Sequence, residues 1–394
     1  MYLDSLDKKE CTGCTACASV CAHKAITMEV DNEGFKYPVA NHMLCVDCRL
    51  CRNSCPVAEP DYTNSENPLV YASYLKDKEQ RKRSSSGGLF YAIASKVIEK
   101  DGIVYGAIMD ENCKVYHKGA ETLEELEALR GSKYVQSDMG ATFIDVRSNL
   151  RAGRQVYFVG TPCQVAGLKK FLRKGYDNLY TSDLVCHGVP SQKLLDLHIQ
   201  YQEQKYKDKI TKIQFRDNAS WGVCEILDFE HRKQKRFPTF DLSPYLQSFM
   251  YAMTYRYSCY DCKFATIPRQ GDITLADYWG VKKYFPELDA SSGVSLCIIN
   301  TEKRVKLWNM LEDVSISKIS TLADAYRYNG NIMHSSNAPE IRLGIYEKID
   351  NIGYNKLANT DFRVKNYYWR YFQSITIGSS LVQNAIASIK KIIR

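Results

Sequence analysis

The sequence predicts an α+β / α/β protein in two parts, a small cysteine-dense unit whose core is supplied by metal and a larger mixed α/β module. Three observations predict it. Eight of the 15 cysteines fall between Cys11 and Cys55; residues 59–68 are polar and contain proline; and from Leu69 onward strand-like and helix-like segments alternate. At 394 residues the chain is long enough for two or three domains. Its 45% hydrophobic and 25% charged residues exclude collagen-like, low-complexity and wholly disordered classes. No window offers the roughly 18 apolar residues of a membrane span. The first ten residues lack the apolar stretch of a signal peptide, so the expected location is cytoplasmic.

Residues 1–58 have few apolar runs, and metal must replace much of their core. Between the cysteine groups, 25–30 and 35–39 read as strands joined by the turn Asp31-Asn-Glu-Gly34. Residues 59–68 read as a linker. The module then opens with a strand at 69–75, a helix at 88–100 and a buried strand at 103–109. A helix at 122–129 and a longer one at 135–150 complete its first part, 69–150. The second part, 151–335, starts with a strand at 155–159 running into Gly160-Thr-Pro-Cys-Gln164 and a helix to 173, then a strand at 179–186. From 210 the pattern is more β-like, with strands at 212–216, 224–230 and 293–299 interrupted by helices at 242–253 and 301–310. A helical tail, 336–394, ends in an amphipathic stretch at 375–393, expected to pack on the domain or a second subunit, with a membrane-surface helix as the alternative.

The run Cys11-x2-Cys14-x2-Cys17-x3-Cys21 is followed by Cys45-x2-Cys48-x2-Cys51-x3-Cys55-Pro56. An odd cysteine count excludes a fully paired disulfide framework, and a reducing compartment favours metal ligation. Three thiolates at this spacing wrap one face of a 4Fe-4S cubane while the fourth crosses to the other cluster. The expected sets are Cys11, Cys14 and Cys17 with Cys55, and Cys45, Cys48 and Cys51 with Cys21. The segment resembles the bacterial two-cluster ferredoxin domain, with Ala22 where that family usually has proline. Zinc is the alternative, but its knuckles use more widely separated ligand pairs and do not repeat this run.

Four further cysteines stand in suggestive contexts. Cys163 and Cys186 follow predicted strands, where the loops of α/β sheets build ligand sites, and the pair Cys259-Tyr-Asp-Cys262 can close a third four-thiolate site with them. The other reading is a set of small buried hydrophobes, the role expected of Cys113, Cys224 and Cys297.

Six motifs occur in order: Ser84-Ser-Ser-Gly-Gly-Leu-Phe90, Leu129-Arg-Gly-Ser-Lys-Tyr-Val-Gln136, Gly160-Thr-Pro-Cys-Gln164, Cys186-His-Gly-Val-Pro-Ser191, Cys259-Tyr-Asp-Cys-Lys-Phe264 and Gly271-Asp-Ile-Thr-Leu-Ala-Asp-Tyr-Trp-Gly280. With them, 69–310 resembles the coenzyme F-420 hydrogenase/dehydrogenase beta-subunit family, in the arrangement that carries an amino-terminal ferredoxin domain. The resemblance implies an FAD-containing oxidoreductase, with 69–150 and 151–335 forming a flavin-binding module. It also implies a third 4Fe-4S cluster near the flavin on Cys163, Cys186, Cys259 and Cys262.

The chemistry of the motifs agrees with a flavin. Gly87 and Gly88 at a helix start let the backbone approach a pyrophosphate. Ser84, Ser85 and Ser86 can cap that helix or bond phosphates, and Arg130 and Lys133 supply charge. Thr161, Gln164, Asp272, Asp277 and Trp279 complete the candidate cofactor-binding set. Without the resemblance, a helix cap with no ligand explains the serine–glycine run as well. No G-x-G-x-x-G fingerprint follows a strand, so a standard NAD site is not expected. His187 is the candidate catalytic residue, because imidazole titrates near neutrality; bonding a cluster sulfur or capping a loop are its alternatives.

The formal charge of +8 carries little weight, because each cubane with four thiolates and a flavin dinucleotide bring roughly −2 apiece. The basic stretches 205–212 and 231–236 read as a solvated face, or as a docking patch for an acidic ferredoxin. No nucleic-acid motif is present. The expected function is electron transfer from ferredoxin through 4Fe-4S clusters to FAD and on to a small organic acceptor, the deazaflavin coenzyme F-420 among the candidates. The alternative is an electron-transfer subunit of a hydrogenase or dehydrogenase complex with no independent substrate. A homo-oligomer is compatible with either.

Overall fold

The computed structural model describes residues 1–217, 221–364, 367–368 and 370. The stretch expected to form an amphipathic helix at 375–393 lies outside the described residues.

The two cysteine runs fold alike. In the first, Gly13 and Thr15 take φ of 71° and 66°; in the second, Asp47 and Arg49 at the matching positions take 50° and 60°. Left-handed backbone at non-glycine residues is uncommon, and its recurrence here shows that the loop shape is imposed by where the thiols must point. Thr15 and Arg49 each start a short helix, Ala16–Val20 and Leu50–Asn53. Strands β1 (Ile26–Val30) and β2 (Lys36–Ala40) form the antiparallel hairpin between the runs. Its turn is closed by Asp31, whose Oδ1 accepts from the amides of Glu33 and Phe35 at 3.0 and 2.9 Å.

The larger part is built on β3 (Leu69–Leu75), β4 (Ile103–Met109), β5 (Val115–Ala120), β6 (Val156–Gly160) and β7 (Leu179–Leu184). Next come β8 (Ile210–Asp217), β9 (Gly222–Phe229) and β10 (Lys235–Phe237), which make a separate three-stranded antiparallel sheet. Strands β11 (Ile273–Asp277), β12 (Ser295–Ile299) and β13 (Ser315–Ser320) return to the main sheet, whose eight strands run in the order β13-β3-β12-β11-β7-β6-β4-β5. Its centre, β11-β7-β6-β4, is parallel, and the strands on either side join antiparallel. A parallel centre must be covered on both faces, so β4 and β6 read as almost continuous apolar text and are buried along most of their length. It also brings the carboxyl ends of β6, β7 and β11 side by side, and Cys163, Cys186 and Asp277 lie at or just beyond them.

The helix Pro162–Leu172 shows how sequence sets local structure. Thr161 is its N-cap, Pro162 occupies the first turn, and Gln164 closes a capping box by accepting from the Thr161 amide at 2.9 Å. Val165, Leu168, Phe171 and Leu172 make its buried stripe, each contributing on the order of 1.5–3 kcal/mol. Gly167 leaves room for the amino-terminal unit: a Cβ there would stand 2.9 Å from Cys14 Sγ.

Several expectations need correction. The helix expected over 135–150 spans only Thr142–Arg151. Residues before it pair instead with β5, through the Asp138 amide to Val115 O and the His117 amide to Asp138 O. That strand was not expected from the sequence, and tertiary pairing at its edge overrides the helical pattern. The 15-residue helix Gln192–Tyr206 is a further element beyond those the sequence pattern predicts. The stretch at 242–253 is helical over Pro244–Met250 and ends before Ala252, which has φ of 54°.

The chain's carboxyl-terminal part grips the hairpin. Arg342 and Glu33 form a buried bidentate pair, with Nη1 to Oε1 at 3.0 Å. Phe35 meets Tyr346 edge-on at 6.0 Å, and Lys193 bonds both Asn32 O and Asp350 at 2.7 Å. Here Gly34 is required twice over: its φ is 87°, and a Cβ would lie 2.4 Å from the Cβ of Lys193.

Candidate functional site

The cysteines fall into three groups. Cys11, Cys14, Cys17 and Cys55 line one cavity, and Cys21, Cys45, Cys48 and Cys51 line another of about 400 Å³. Each group takes three thiols from one run and the fourth from the other. Cys163, Cys186, Cys259 and Cys262 form the third group, each within the electrostatic field of others in the set. The first and third are adjacent, since Cys14 also feels Cys163. The second is different in exposure: Cys45 and Cys48 are exposed, whereas Cys11 and Cys14 are buried.

The donor sets suit iron–sulfur chemistry. Among the described residues no three His, Cys, Asp or Glu side chains are grouped tightly enough to share a single metal ion. A cubane offers each thiol a different iron, so four thiols spread around a cavity suit one cluster. Burial pushes the Cys14 and Cys186 thiols up to about 12 and Cys163 up to about 11; a bound cation reverses that balance. Backbone amides already point at the sulfurs, Gly13 N at Cys11 (3.4 Å) and Ala25 N at Cys21 (3.3 Å). Similar bonds reach Cys259 from Val189, Cys186 from Gly188, and Cys262 from Phe264 and Ala265. The buried guanidinium of Arg269 lies in the field of Cys186 and Cys262. Cys113, Cys224 and Cys297 are buried apart from these groups, as expected of structural thiols.

The serine–glycine run, the Arg130–Lys133 segment and the end of β11 converge on a second corner. Arg130 donates to Ser84 Oγ (3.0 Å) and to the Gln80 side chain, and Ser132 Oγ donates to Ser85 Oγ (3.2 Å). Arg216 clasps Asp277 through both guanidinium nitrogens, at 2.6 and 3.0 Å, and donates to Ser85 O at 2.7 Å. Trp221 Nε1 also donates to Asp277, at 2.6 Å, and stacks on the half-buried Trp279 with centroids 5.2 Å apart. Lys133 donates to Ala128 O and Arg130 O, and burial lowers its amine to about 7. Ser86 Oγ donates to Val294 O, and Gly87 is wedged where a Cβ would meet Ser73 O at 2.4 Å. Gly88 starts the helix Leu89–Ile98 with φ of 90°. Among the described residues, the buried Nε atoms of Arg130 and Arg216 have no hydrogen-bond partner. Half-buried indoles, serines and basic groups with spare donors suit an anionic aromatic cofactor.

Three predicted residues sit elsewhere. Asp272 is buried in the sheet, accepting from the Thr181 amide and hydroxyl (both 2.8 Å) and from Thr301 Oγ1 (2.9 Å), so it ties β11 to β7 rather than facing this corner. Thr161 lies beside Cys163, its Oγ1 3.1 Å from the sulfur. Gln164 donates to Ser137 Oγ at 2.9 Å within the buried network around His117. His187 lies between the two regions. Its Nδ1 bonds the Tyr255 hydroxyl, which itself donates to Phe249 O, so the ring's Nδ1 is the donor. Burial lowers its pKa, which disfavours the protonated form a proton donor needs. From His187 a series of rings leads to the corner: Phe249 at 5.7 Å, then Tyr134 stacked on Phe249 at 4.8 Å, whose hydroxyl accepts from Arg216.

Arg216, Trp221, Tyr134, Arg256 and Arg269 were not singled out from the sequence. Arg216 closes a predicted strand, but its partner Asp277 lies 61 residues later. Of the basic stretches, Arg232 bonds Tyr206 O, His231 pairs with Asp208, and Arg236 with Asp217, so these side chains are engaged within the chain. Among the described residues no helix is long and apolar enough to cross a membrane.

Residues 10–58 match the model of the 4Fe-4S dicluster domain, and 153–324 match that of the C terminus of the coenzyme F420 hydrogenase/dehydrogenase beta subunit. A stretch of 118 residues is 30% identical to the coenzyme F420 hydrogenase subunit beta of Methanococcus voltae, covering 29% of this chain and 41% of that protein. The chain thus spans about two fifths of the length of that relative. A structure of the F420-reducing [NiFe] hydrogenase complex from Methanosarcina barkeri overlaps 73% of this chain and 94% of the chain compared, with a TM-score of 0.48 and 17% identity. Two segments of the chain thus match domain families, 10–58 that of the 4Fe-4S dicluster domain and 153–324 that of the C terminus of the coenzyme F420 hydrogenase/dehydrogenase beta subunit.

Proposed function

We propose that the protein is an iron–sulfur flavoprotein oxidoreductase that takes single electrons from ferredoxin or a similar low-potential donor and delivers them in pairs to a small organic acceptor, with coenzyme F420 as the first candidate. The observation that carries this reading is the gathering of twelve cysteines into three four-thiol groups, the third beside the first. Bound clusters would supply one-electron storage, and a bound FAD the conversion between one- and two-electron chemistry. The chain's own part is to hold and insulate. Cys11, Cys14, Cys17 and Cys55, then Cys21, Cys45, Cys48 and Cys51, then Cys163, Cys186, Cys259 and Cys262, are assigned as ligands. Ser84, Ser85, Ser86, Gly87 and Gly88 would take the flavin's phosphate end, with Arg130 and Lys133 supplying charge. Asp277 holds Arg216 and Trp221 in place so that the indoles present a face to the ring.

A second reading, an electron-transfer subunit without a substrate of its own, is favoured by the relative from Methanococcus voltae, which is named as a subunit of a hydrogenase. Anaerobic purification with iron, sulfide, zinc and flavin measured on one sample tests the cofactors: about twelve iron, twelve sulfide and one FAD are expected, and zinc without sulfide overturns the reading. Turnover of reduced ferredoxin with coenzyme F420 by the purified chain then supports the enzyme, whereas turnover only with a co-purifying dehydrogenase supports the subunit.

A further inference from the structure

Arg256 is buried, at 1% exposure, between the first and third thiol groups. Its Nε donates to Cys11 O at 2.6 Å, one Nη to Cys11 Sγ at 3.3 Å and to Lys36 O at 2.9 Å, and the other to Gln136 Oε1 at 3.3 Å. The guanidinium lies over the Tyr37 ring, 4.0 Å from its centroid. Gln136 is itself held by its Nε2, which donates to Thr12 O at 2.9 Å. On the other side, the Arg256 carbonyl accepts from the Cys259 amide, and the charges of Cys259 and Cys163 act on the guanidinium.

Among the described residues no carboxylate lies within ion-pair distance of Arg256. The other fully buried arginines differ: Arg342 has Glu33, Arg81 has Asp289 and Arg269 has Asp183. A buried, unpaired guanidinium is expensive. Among the described residues, carbonyls, an amide, the Tyr37 ring and the Cys11 sulfur face it, none of them a carboxylate, so its natural counter-ion is negative charge on the thiolate group. A guanidinium stays charged in proteins, so the cost of burying it has to be met by its surroundings.

We propose that Arg256 is a positioning residue that supplies the counter-charge of the Cys11 thiol group and raises its electron affinity, so that electrons entering at the exposed Cys45–Cys48 side run inward. The inference rests on the cluster assignment proposed above. The step is a single-electron transfer: the second group loses one electron, the first gains it, no bond forms or breaks, and a low-potential one-electron donor protein refills the second group. Added negative charge on reduction is stabilised by a nearby cation in a dry site far more than in water. Gln136 aims the guanidinium, which gives the end of the Leu129–Gln136 motif a role that the flavin reading leaves open.

The test is an EPR-monitored redox titration of the full-length holoprotein, comparing wild type with Arg256→Gln, Arg256→Lys and Gln136→Leu. The signal of the first group is identified by its change in Cys11→Ser. Arg256→Gln, with iron and sulfide content preserved, is expected to lower the reduction equilibrium of that signal at least tenfold, about 59 mV for one electron. The signal of the exposed group is expected to stay unchanged, Arg256→Lys to recover part of the shift, and Gln136→Leu to move it the same way by less. A change below twofold in Arg256→Gln overturns the proposal. Should Arg256→Gln lose iron, an unshifted signal in Gln136→Leu overturns it instead. Wild-type protein with no iron at the first group overturns the cluster assignment itself, a separate result visible before any variant is made.

Discussion

At the residue scale, His117 shows how a titratable side chain is fixed in the core. Its Nε2 meets Val159 O at 3.0 Å, its Nδ1 meets Ser137 Oγ at 2.9 Å, and its ring stacks on Phe158. Burial lowers its pKa from 6.5 to about 4, so the folded protein keeps it neutral while the unfolded chain takes up a proton below 6.5. The unfolded state then binds more protons, and stability falls as pH drops from 6.5 toward 4, by at most about 1.4 kcal/mol per pH unit. In His117→Gln that slope is expected to be absent from denaturant unfolding midpoints measured across this window. An unchanged slope would assign the pH dependence to another group. His117 could not be picked out in the sequence, because only the pairing of 137–138 with β5 encloses it.

At the element scale, the contact between the β1–β2 turn and the carboxyl-terminal helices decides whether the amino-terminal unit is a fixed part of the molecule. The Arg342–Glu33 pair is bidentate and buried, and the Arg342 guanidinium also stacks 4.0 Å from the Tyr257 centroid. Removing one member of such a pair leaves an uncompensated charge and costs about 3–5 kcal/mol. Glu33→Ala is therefore expected to lower the unfolding midpoint strongly and to make residues 59–68 the first site of limited proteolysis. A variant as resistant as wild type would show that the grip resides in the apolar contacts of Phe35 and Tyr346. The hairpin and the strand at 69–75 were legible from alternation and turn chemistry. The helix Gln192–Tyr206 was not, because its buried positions include His198, Tyr201 and Gln202 beside Leu194 and Leu195, which blurs the apolar stripe.

At the scale of the whole molecule, the three thiol groups differ in access to solvent. Cys45 and Cys48 are exposed, with Met43 93% exposed beside them, whereas the first group is sunk against the helix Pro162–Leu172. Iron at the second group is therefore expected to be the first lost when the holoprotein meets a chelator, as a kinetic phase of about one third of the total under the assignment of four irons per group. In Cys45→Ser/Cys48→Ser that phase is expected to be missing while the remaining iron leaves slowly. Equal loss from all groups would mean that burial in the apoprotein does not govern release.

By itself the sequence determined the chemistry that spacing encodes. Thiols three residues apart on one loop must share a metal site, Gly and Asp in a short turn must reverse a strand, and alternating apolar runs must stack into a sheet; all of this is local. Only the tertiary structure decided what depends on distant chain segments meeting. It brought Cys163, Cys186 and the Cys259–Cys262 pair together by aligning the ends of β6 and β7, and it gave Asp277 to Arg216 while burying Asp272 between strands. It also set Arg256 against Cys11 across 245 residues of chain. A charge reveals nothing of its partner in sequence when that partner is chosen by the packing of a sheet.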